Sequence, residues 1–261
     1  MNLAVHMQLR VVLVEPLYDG NMGSVARAMK NFGFDRLVMV RPGPIGDFGL
    51  AMAVHAKDVL QGARITSTLE EAIDGASLVV GTTGKRSGEA PHHLRLHLRA
   101  PCLTPAQLAA KIEGRDGEVA LLLGREDWGL RGEELMLCDA LVSIPTSDQY
   151  PVMNQSHAAA VIFYELSGLC GGCQDLASRE TSDLVTRYFE RLLYATTYPQ
   201  HKIPYMVLMV KRILGRAVLT EREAHSLLGV MKKALWRLGE LKKEEVEGDD
   251  DSPGSSEGGA P

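Results

Sequence analysis

An amide and a guanidinium stand close together near the start of the chain, at Asn21 and Arg27. The apolar, β-branched run Leu9–Val14 predicts a buried strand before them, and the spacing of apolar residues over Gly23–Asn31 predicts a helix that contains Arg27. The free N–H groups at a helix N-terminus favour an anion such as a phosphate. The pattern therefore indicates an anion-binding turn, although it lacks the Gly-x-Gly-x-x-Gly spacing of dinucleotide-binding proteins. The alternative is structural: Asn21 as an N-cap and Arg27 in a surface ion pair.

Three more loops of unusual composition follow apolar runs that predict strands. Gly81–Arg86 is a small polar turn, Gly124–Leu130 holds two acids and a tryptophan between glycines, and Ile144–Asn154 contains two prolines. Ligands of open α/β sheets bind outside the carboxyl ends of the strands. We therefore expect the four loops to meet at one edge of a sheet, although each alone is also compatible with an ordinary turn.

The first 170 residues alternate between predicted strands and helices. Apolar strands that alternate with helices are typical of a mainly parallel sheet covered on both faces, so the predicted fold class is α/β. The predicted strands are Leu9–Val14, Leu37–Val40, Leu78–Val80, Glu118–Leu123 and Leu141–Ile144, and the predicted helices are Gly23–Asn31, Leu50–Leu60, Leu69–Ile73 and Asn154–Leu169.

A small all-α extension is predicted to follow. The glycines of Gly168–Gln174 indicate a hinge, and an apolar stripe over Leu184–Leu193 predicts a first helix. Pro204 opens a second helix, and Thr220 with Glu223 matches a capping box before a third. We therefore predict a domain at residues 1–170, a linker at 171–182, a basic helical extension at 183–243 and a disordered acidic tail at 244–261.

Charge is distributed unevenly along the 261 residues. Residues 1–182 hold 16 Lys and Arg against 21 Asp and Glu, residues 183–243 hold 12 against five, and residues 244–261 hold seven acids and no base. The net charge of −5 argues against a polyanionic partner, but the strongly basic segment favours one.

Composition also indicates the cellular compartment of the protein. The four cysteines are too few and too scattered for a disulfide scaffold. No apolar run approaches the roughly 20 residues that cross a bilayer, and the first residues do not match a secretory signal. We therefore expect a cytoplasmic protein without a membrane partner.

Three of the loops, taken in order, resemble the motifs of a known family. Val14-Glu15-Pro16 with Gly23–Asn31, then Leu123–Glu126 with Gly129-Leu130, then Ile144-Pro145 with Met153-Asn154, are similar to the three motifs of the SpoU-type methyltransferases of the SPOUT superfamily. The resemblance extends from about Leu9 to Leu169. Val152 departs from it, because many members carry Ser two residues before the Asn of the third motif.

Within the family, the run Gly20–Lys30 and the helical extension are most similar to one branch of enzymes. That branch methylates the ribose 2′-hydroxyl at position 32 of the tRNA anticodon loop. The resemblance leaves open whether cytidine alone or uridine as well is accepted.

The resemblance implies a knotted fold, a cofactor and a shared active site. The C-terminal part of the sheet domain would form a deep trefoil knot around S-adenosyl-L-methionine. The partners would be tRNA and a second copy of the chain, in an obligate homodimer whose catalytic centres each take Arg27 from the partner subunit. The residues at catalytic positions are Asn21, Arg27, Glu126 and Asn154. The residues around the cofactor are Thr82, Thr83, Gly84, Leu123, Gly124, Ile144, Val152 and Met153.

Basic residues are predicted to bind tRNA phosphates, a contact that fixes position without reading sequence. They are Arg27, Lys85, Arg86, Arg187, Arg191, Lys211, Arg212, Lys232 and Lys233. No metal site is predicted. His93 and His97 have helical spacing but no acid or cysteine suitably near, and Cys170 with Cys173 has no second pair.

Two other classes of protein are the alternatives. A non-catalytic RNA-binding relative would keep the fold, but Asn21, Arg27 and Asn154 are all present. A nicotinamide-dependent oxidoreductase needs the glycine fingerprint and an acid at the end of the second strand, where Arg41-Pro42 stands instead. Within the favoured class, the alternative substrate is another tRNA position or a ribosomal RNA.

Overall fold

Parallel strands form the centre of the fold. The structure is a computed structural model and describes residues 8–84, 102–168, 174–196 and 198–240. The strands are β1 Gln8–Val14, β2 Arg36–Val40, β3 Arg64–Thr66, β4 Leu78–Thr82, β5 Arg115–Asp116, β6 Glu118–Leu123, β7 Ala140–Val142 and β8 Gln174–Asp175. Six of them form one sheet in the order β3-β2-β1-β6-β4-β7, and β5 pairs with β8. The predicted α/β class is confirmed.

The central strand β1 is buried on both faces of the sheet. Leu9, Val11 and Leu13 belong to one apolar cluster, and Val12 and Val14 belong to another. Successive side chains of a strand point to opposite faces, so a strand covered on both sides has a continuous apolar sequence. Parallel pairing of β1 with both β2 and β6 completes the predicted arrangement.

Helices cover both faces of this sheet. The α-helices described within residues 8–84 and 102–168 are α1 Asp19–Asn31, α2 Asp47–Ala53, α3 Lys57–Gln61, α4 Leu69–Ile73, α5 Pro105–Ile112, α6 Gly132–Leu137 and α7 Gln155–Leu166. Residues of α1, α5 and α7 belong to one apolar cluster, and residues of α4 and α6 belong to the other. α1 packs between α2 and α7. The approach to α2 requires Gly23, because a Cβ there would lie 2.1 Å from the carbonyl oxygen of Gly49.

Several short elements differ from the sequence-based prediction. The single helix predicted over Leu50–Leu60 is wrong: α2 ends at Ala53, a 3-10 turn spans Val54–Ala56, and α3 follows. Val54 has a φ of 52°, which a β-branched residue rarely adopts and which interrupts the helix. The prediction also lacks β3, α5 and α6. The α5 start nevertheless carries a Thr104–Gln107 capping box.

Within residues 174–240, the C-terminal extension contains the three predicted α-helices. They are α8 Arg179–Ala195, α9 Ile203–Ala217 and α10 Glu221–Arg237. The capping box of Thr220 and Glu223 is present at the start of α10. α8 packs against α10 around Val185, Ala224 and Leu228. α8 begins within residues 171–182, the segment predicted as a linker. The exact domain boundaries stay a prediction.

The extension is fastened to the sheet at Asp139. The Asp139 carboxylate accepts hydrogen bonds from the backbone N–H of Val79 at 2.8 Å and from Nη1 of Arg179 at 2.9 Å. α9 approaches so closely that a Cβ at Gly215 would lie 2.2 Å from the carbonyl oxygen of Asp139. The residue before β7 therefore packs directly against two helices of the extension.

Some sequence-based expectations go beyond the sheet and its helices. Within the described ranges, no helix combines the length and apolar character needed to cross a membrane. The trefoil knot stays a prediction. The acidic tail lies outside the described residues.

Candidate active site

A cleft of about 340 Å³ lies at the carboxyl ends of β4, β6 and β7. This volume is within the range of about 300–1,000 Å³ that is typical of small-molecule sites. The walls come from the loops after these strands and from the first turns of α7. The residues predicted around a cofactor all line this cleft: Thr82, Thr83, Gly84, Leu123, Gly124, Ile144, Val152 and Met153. The structure brings them together at one edge of the sheet.

The loop after β6 is a tightly bonded turn in one wall of the cleft. The backbone N–H of Arg125 donates to the carbonyl of Gly129 at 3.2 Å, and the reverse bond is 2.9 Å. Gly129 has a φ of 70°, which glycine adopts without strain. A Cβ at Gly124 would lie 2.2 Å from the carbonyl carbon of Gly129. The turn thus depends on both glycines, and it leaves Trp128 83% exposed.

Arg125 joins this turn to the sheet through a buried ion-pair network. Its guanidinium donates to the Glu134 carboxylate at 2.8 and 3.0 Å and to Glu15 at 2.7 Å. The hydrogen bonds to Glu134 raise the pKa of Arg125. Burial opposes ionisation of Glu15, but the hydrogen bonds from Arg125 and Arg41 outweigh it and hold the pKa of that carboxyl below its ordinary value. Sequence reasoning gave no role to Arg125 or Glu134, although Arg125 lies within the second motif.

Three of the predicted catalytic residues form one hydrogen-bonded chain across the three motifs. Nδ2 of Asn154 donates to Oδ1 of Asn21 at 3.1 Å, and Nδ2 of Asn21 donates to Oε1 of Glu126 at 3.1 Å. Glu126 also accepts the backbone N–H groups of Leu17 and Tyr18, at 3.0 and 3.2 Å. The chain holds the motifs in fixed relation to one another beside the cleft.

The same side chains set the starts of two helices. Asn154 is the N-cap of α7, and its Oδ1 accepts the backbone N–H of Ser156 at 2.9 Å. α1 begins at Asp19, so Asn21 lies within the first turn and is not the N-cap that the structural alternative required. The Glu126 carboxylate lies at the N-terminal end of α1, where negative charge is favourable.

Gln155 adds a link that the sequence did not indicate. Its Nε2 donates to the carbonyl oxygen of Gly124 at 2.7 Å, which joins α7 to the loop after β6. The residue lines the cleft, and its buried Oε1 has no hydrogen-bond partner among the described residues. A buried acceptor without a partner costs about 1–3 kcal/mol. A donor on a bound ligand would remove that cost.

Arg27 lies apart from this chain of contacts. It is exposed on α1, and it is not among the residues that line the cleft of its own subunit. In the described parts of the chain it has no hydrogen bond or ion pair. The guanidinium is thus available to a molecule outside the subunit.

Several predicted phosphate ligands are not available at the surface. Arg212 is 2% exposed, and its Nη2 donates to the carbonyl oxygen of Leu135 at 2.5 Å. Lys232 is 7% exposed, with its Nζ 5.6 Å from the ring centre of Tyr188. Lys211 lies mostly buried beside Asp139 at 3.6 Å. The helix faces that carry Arg212 and Lys232 pack against α6 and α8, which argues against phosphate binding by these two residues; their role stays a prediction.

The other basic residues fall into two groups. Arg187, Arg191 and Lys233 are exposed on α8 and α10. Lys85 and Arg86 lie outside the described residues, as do His93, His97, Cys170 and Cys173. Where side chains are described, no three potential metal ligands come together.

Comparison with known proteins agrees with the fold and the motifs. The SpoU rRNA Methylase family model matches residues 8–164. A tRNA (cytidine-2'-O-)-methyltransferase TrmJ from Methanocaldococcus jannaschii is 39% identical over 232 residues, covering 86% of this chain and 98% of the relative. A tRNA (cytidine/uridine-2'-O-)-methyltransferase TrmJ from Escherichia coli K12 is 36% identical over 238 residues, covering 85% and 93%.

A solved structure shows that this similarity includes the fold of most of the chain. The crystal structure of TrmJ from Z. mobilis ZM4 has a TM-score of 0.64 and 28% sequence identity, and it covers 86% of this chain and 97% of that one. The parallel sheet, the cleft at its carboxyl edge and these matches define an α/β methyltransferase. The chain belongs to the SpoU methylase family.

Proposed function

We propose that this protein transfers a methyl group from S-adenosylmethionine to the ribose 2′-hydroxyl of nucleotide 32 in the anticodon loop of tRNA. The observation that carries the proposal is the cleft itself, which the loops after β4, β6 and β7 line and which the Asn154–Asn21–Glu126 hydrogen-bonded chain flanks. The names of the M. jannaschii and E. coli relatives support tRNA as the substrate and the 2′-oxygen as the acceptor.

The residues of the cleft fit the methyl donor. The apolar walls at Leu123, Ile144 and Met153 suit the adenosine and methionine parts of the molecule. The buried Oε1 of Gln155 suits a hydrogen-bond donor such as an amino group. When bound, S-adenosylmethionine would supply an electrophilic methyl group on a sulfonium: the ribose oxygen would attack that carbon in line, the S–CH₃ bond would break to release S-adenosylhomocysteine, and the 2′-hydroxyl proton would pass to water.

The chain's own residues position this reaction. The hydrogen-bonded chain of Asn21, Glu126 and Asn154 fixes the loops that shape the cleft, which makes these three positioning residues. Arg27 has no partner among the described residues, and a guanidinium stays protonated at neutral pH, which excludes it as a general base. Its role is to stabilise negative charge that develops on the ribose oxygen and to hold the adjacent phosphate with two N–H groups.

A homodimer completes this site. Arg27 is exposed and does not line the cleft of its own subunit, which supports a role for it in the cleft of a second copy of the chain. Helices beside α1 carry exposed apolar side chains that a second subunit would cover, including Phe48 at 64% and Tyr164 at 68% exposure. Both helices pack against α1, so this face and Arg27 lie on the same side of the sheet.

Mapping ribose methylation tests the reaction. Full-length protein, S-adenosylmethionine and an unmodified tRNA transcript are incubated together, and the 2′-O-methyl position is read by resistance to alkaline cleavage. One methyl group at nucleotide 32 is the expected result, and a transcript with a 2′-deoxyribose at that position is the control. Methylation of a base, of another nucleotide, or of ribosomal RNA alone would contradict the proposal.

Mixing two inactive variants tests the shared site. Arg27→Ala keeps the cleft, and Val152→Trp fills the cleft but keeps Arg27. In a heterodimer, the intact cleft of the first subunit meets Arg27 of the second, so random exchange in a two-fold dimer restores about a quarter of the wild-type activity. No recovery in a mixture that forms heterodimers would show that each subunit supplies its own Arg27.

A further inference from the structure

Asp127 and Trp128 lie at the cleft, and the reaction described above uses neither. Both side chains line it and both are exposed. In the described parts of the chain, neither has a hydrogen bond, an ion pair or a ring contact. An indole that is 83% exposed leaves its flat face open to a ligand at the mouth of the cleft.

The turn holds the backbone of these two residues in place. The paired backbone hydrogen bonds between Arg125 and Gly129 close it on both sides of Asp127 and Trp128. The buried ion pairs of Arg125 with Glu134 and Glu15 anchor its base. A side chain on a fixed turn loses less entropy on binding than one on a mobile loop. The turn is therefore suited to receive a rigid, planar group.

The chemistry of the pair points to a nucleobase with an amino group. Stacking of a base on an aromatic side chain is worth about 1–3 kcal/mol and tolerates any base. A carboxylate only accepts hydrogen bonds, so it pairs with the exocyclic amino group of cytosine. Uracil presents a carbonyl oxygen at the equivalent position, which an ionised carboxylate repels.

We propose that Asp127 and Trp128 form the subsite for the target base of the RNA: the indole stacks on the base, and the carboxylate accepts its amino group. The subsite makes the protein prefer cytidine over uridine. This inference rests on the proposed function. Adenine in the methyl donor also carries an amino group, but the high exposure of Trp128 places it at the mouth of the cleft, where RNA arrives.

Two tRNA transcripts that differ only in C or U at nucleotide 32 test the carboxylate. For wild type, we expect kcat/KM to favour the C transcript by about tenfold, the lower part of the range for one base-specific contact. Asp127→Asn keeps the shape but adds an N–H donor, so the ratio of the two kcat/KM values falls to within about twofold of unity. Glu133→Gln, which removes an exposed acid from the first turn of α6, is the matched control and keeps the wild-type ratio.

Trp128 variants test the stacking. Trp128→Ala lowers kcat/KM about tenfold on both transcripts, whereas Trp128→Phe keeps most of it. The affinity for S-adenosylmethionine, measured by calorimetry without RNA, is unchanged in each variant. An unchanged C-to-U ratio in Asp127→Asn, full activity of Trp128→Ala, or loss of donor affinity in either variant would overturn the inference.

A binding measurement separates this inference from the proposed reaction. The chain has two tryptophans, so Trp128 is the sole indole in a Trp236→Phe variant. A short single-stranded cytidine oligonucleotide quenches its fluorescence at lower concentration than a uridine oligonucleotide, and Asp127→Asn removes that difference. Quenching without methylation would contradict the reaction but retain the subsite. Methylation without quenching would retain the reaction and refute the subsite.

Discussion

At the scale of single residues, Arg27 decides whether the site works as proposed. Lys keeps the positive charge but not the planar fork that holds a phosphate with two N–H groups. We therefore predict that Arg27→Lys lowers kcat/KM for tRNA by about 100-fold or more, the cost typical of losing a group that stabilises developing negative charge. Affinity for S-adenosylmethionine, measured by calorimetry, is expected to stay unchanged. Retained activity of the Lys variant would rule out the bidentate contact between Arg27 and the phosphate.

The ionisation of Glu15 makes the stability of the fold depend on pH. Its pKa in the folded protein is below the ordinary value of 4.5, so its ionised form stabilises the fold above that value and this contribution is lost as the pH falls through the lowered pKa. We predict that Glu15→Gln lowers the free energy of unfolding at neutral pH by about 1.5–3 kcal/mol, the size of hydrogen bonds to a charged group.

Denaturation by urea at a series of pH values checks this prediction. The difference between wild type and Glu15→Gln is expected to shrink as the pH falls below 4.5, because only the wild-type side chain titrates. A difference that is the same at neutral and acidic pH would show that Glu15 acts through its shape and not through its charge.

At the scale of elements, sequence patterns predict the buried strands and miss the features that depend on tertiary packing. The strands of the sheet were predictable because burial on both faces requires continuous apolar runs, as in β1 and β6. The three-residue β3 has no such run, since its Ile65 is 55% exposed. Arg212 lies four residues after Leu208 and three before Gly215, both buried, so its helical position indicated the interior. Its charged side chain indicated the surface, but the packing of α9 buries it.

Paired glycine substitutions test how α9 meets the sheet. Gly215→Ala would place a Cβ 2.2 Å from the carbonyl oxygen of Asp139, whereas no atom lies within 4 Å of a Cβ at Gly229 in α10. We predict that Gly215→Ala lowers the free energy of unfolding by about 1–3 kcal/mol through overpacking. Gly229→Ala raises it by about 0.5–1 kcal/mol, because Ala favours a helix over Gly. Thermal unfolding measures both, and stabilisation by both would show that α9 does not press on Asp139.

At the scale of the whole molecule, the extension is part of the fold and not an appendage to it. Arg179 and Lys211 flank the buried Asp139, and Arg212 bonds to the backbone of α6. The candidate site was predictable only in part. Its loops are local sequence motifs, but the network of Arg125, Glu15 and Glu134 includes Glu15, which lies far from the other two in the sequence. Local sequence spacing does not indicate a contact of this kind. Because the extension packs against the sheet, tests of RNA binding need the intact chain.

The exposed basic residues of the extension supply the last prediction. Arg187, Arg191 and Lys233 remain at the surface of α8 and α10, and each phosphate contact contributes to the salt dependence of binding. Replacing all three by Ala is expected to weaken tRNA binding and to reduce the slope of log K against log salt by about two to three. Affinity for S-adenosylmethionine stays the same, because none of them lines the cleft. The matched control is Lys57→Ala, an exposed base on α3. If the triple variant matches the control in both affinity and slope, the RNA lies elsewhere on the protein.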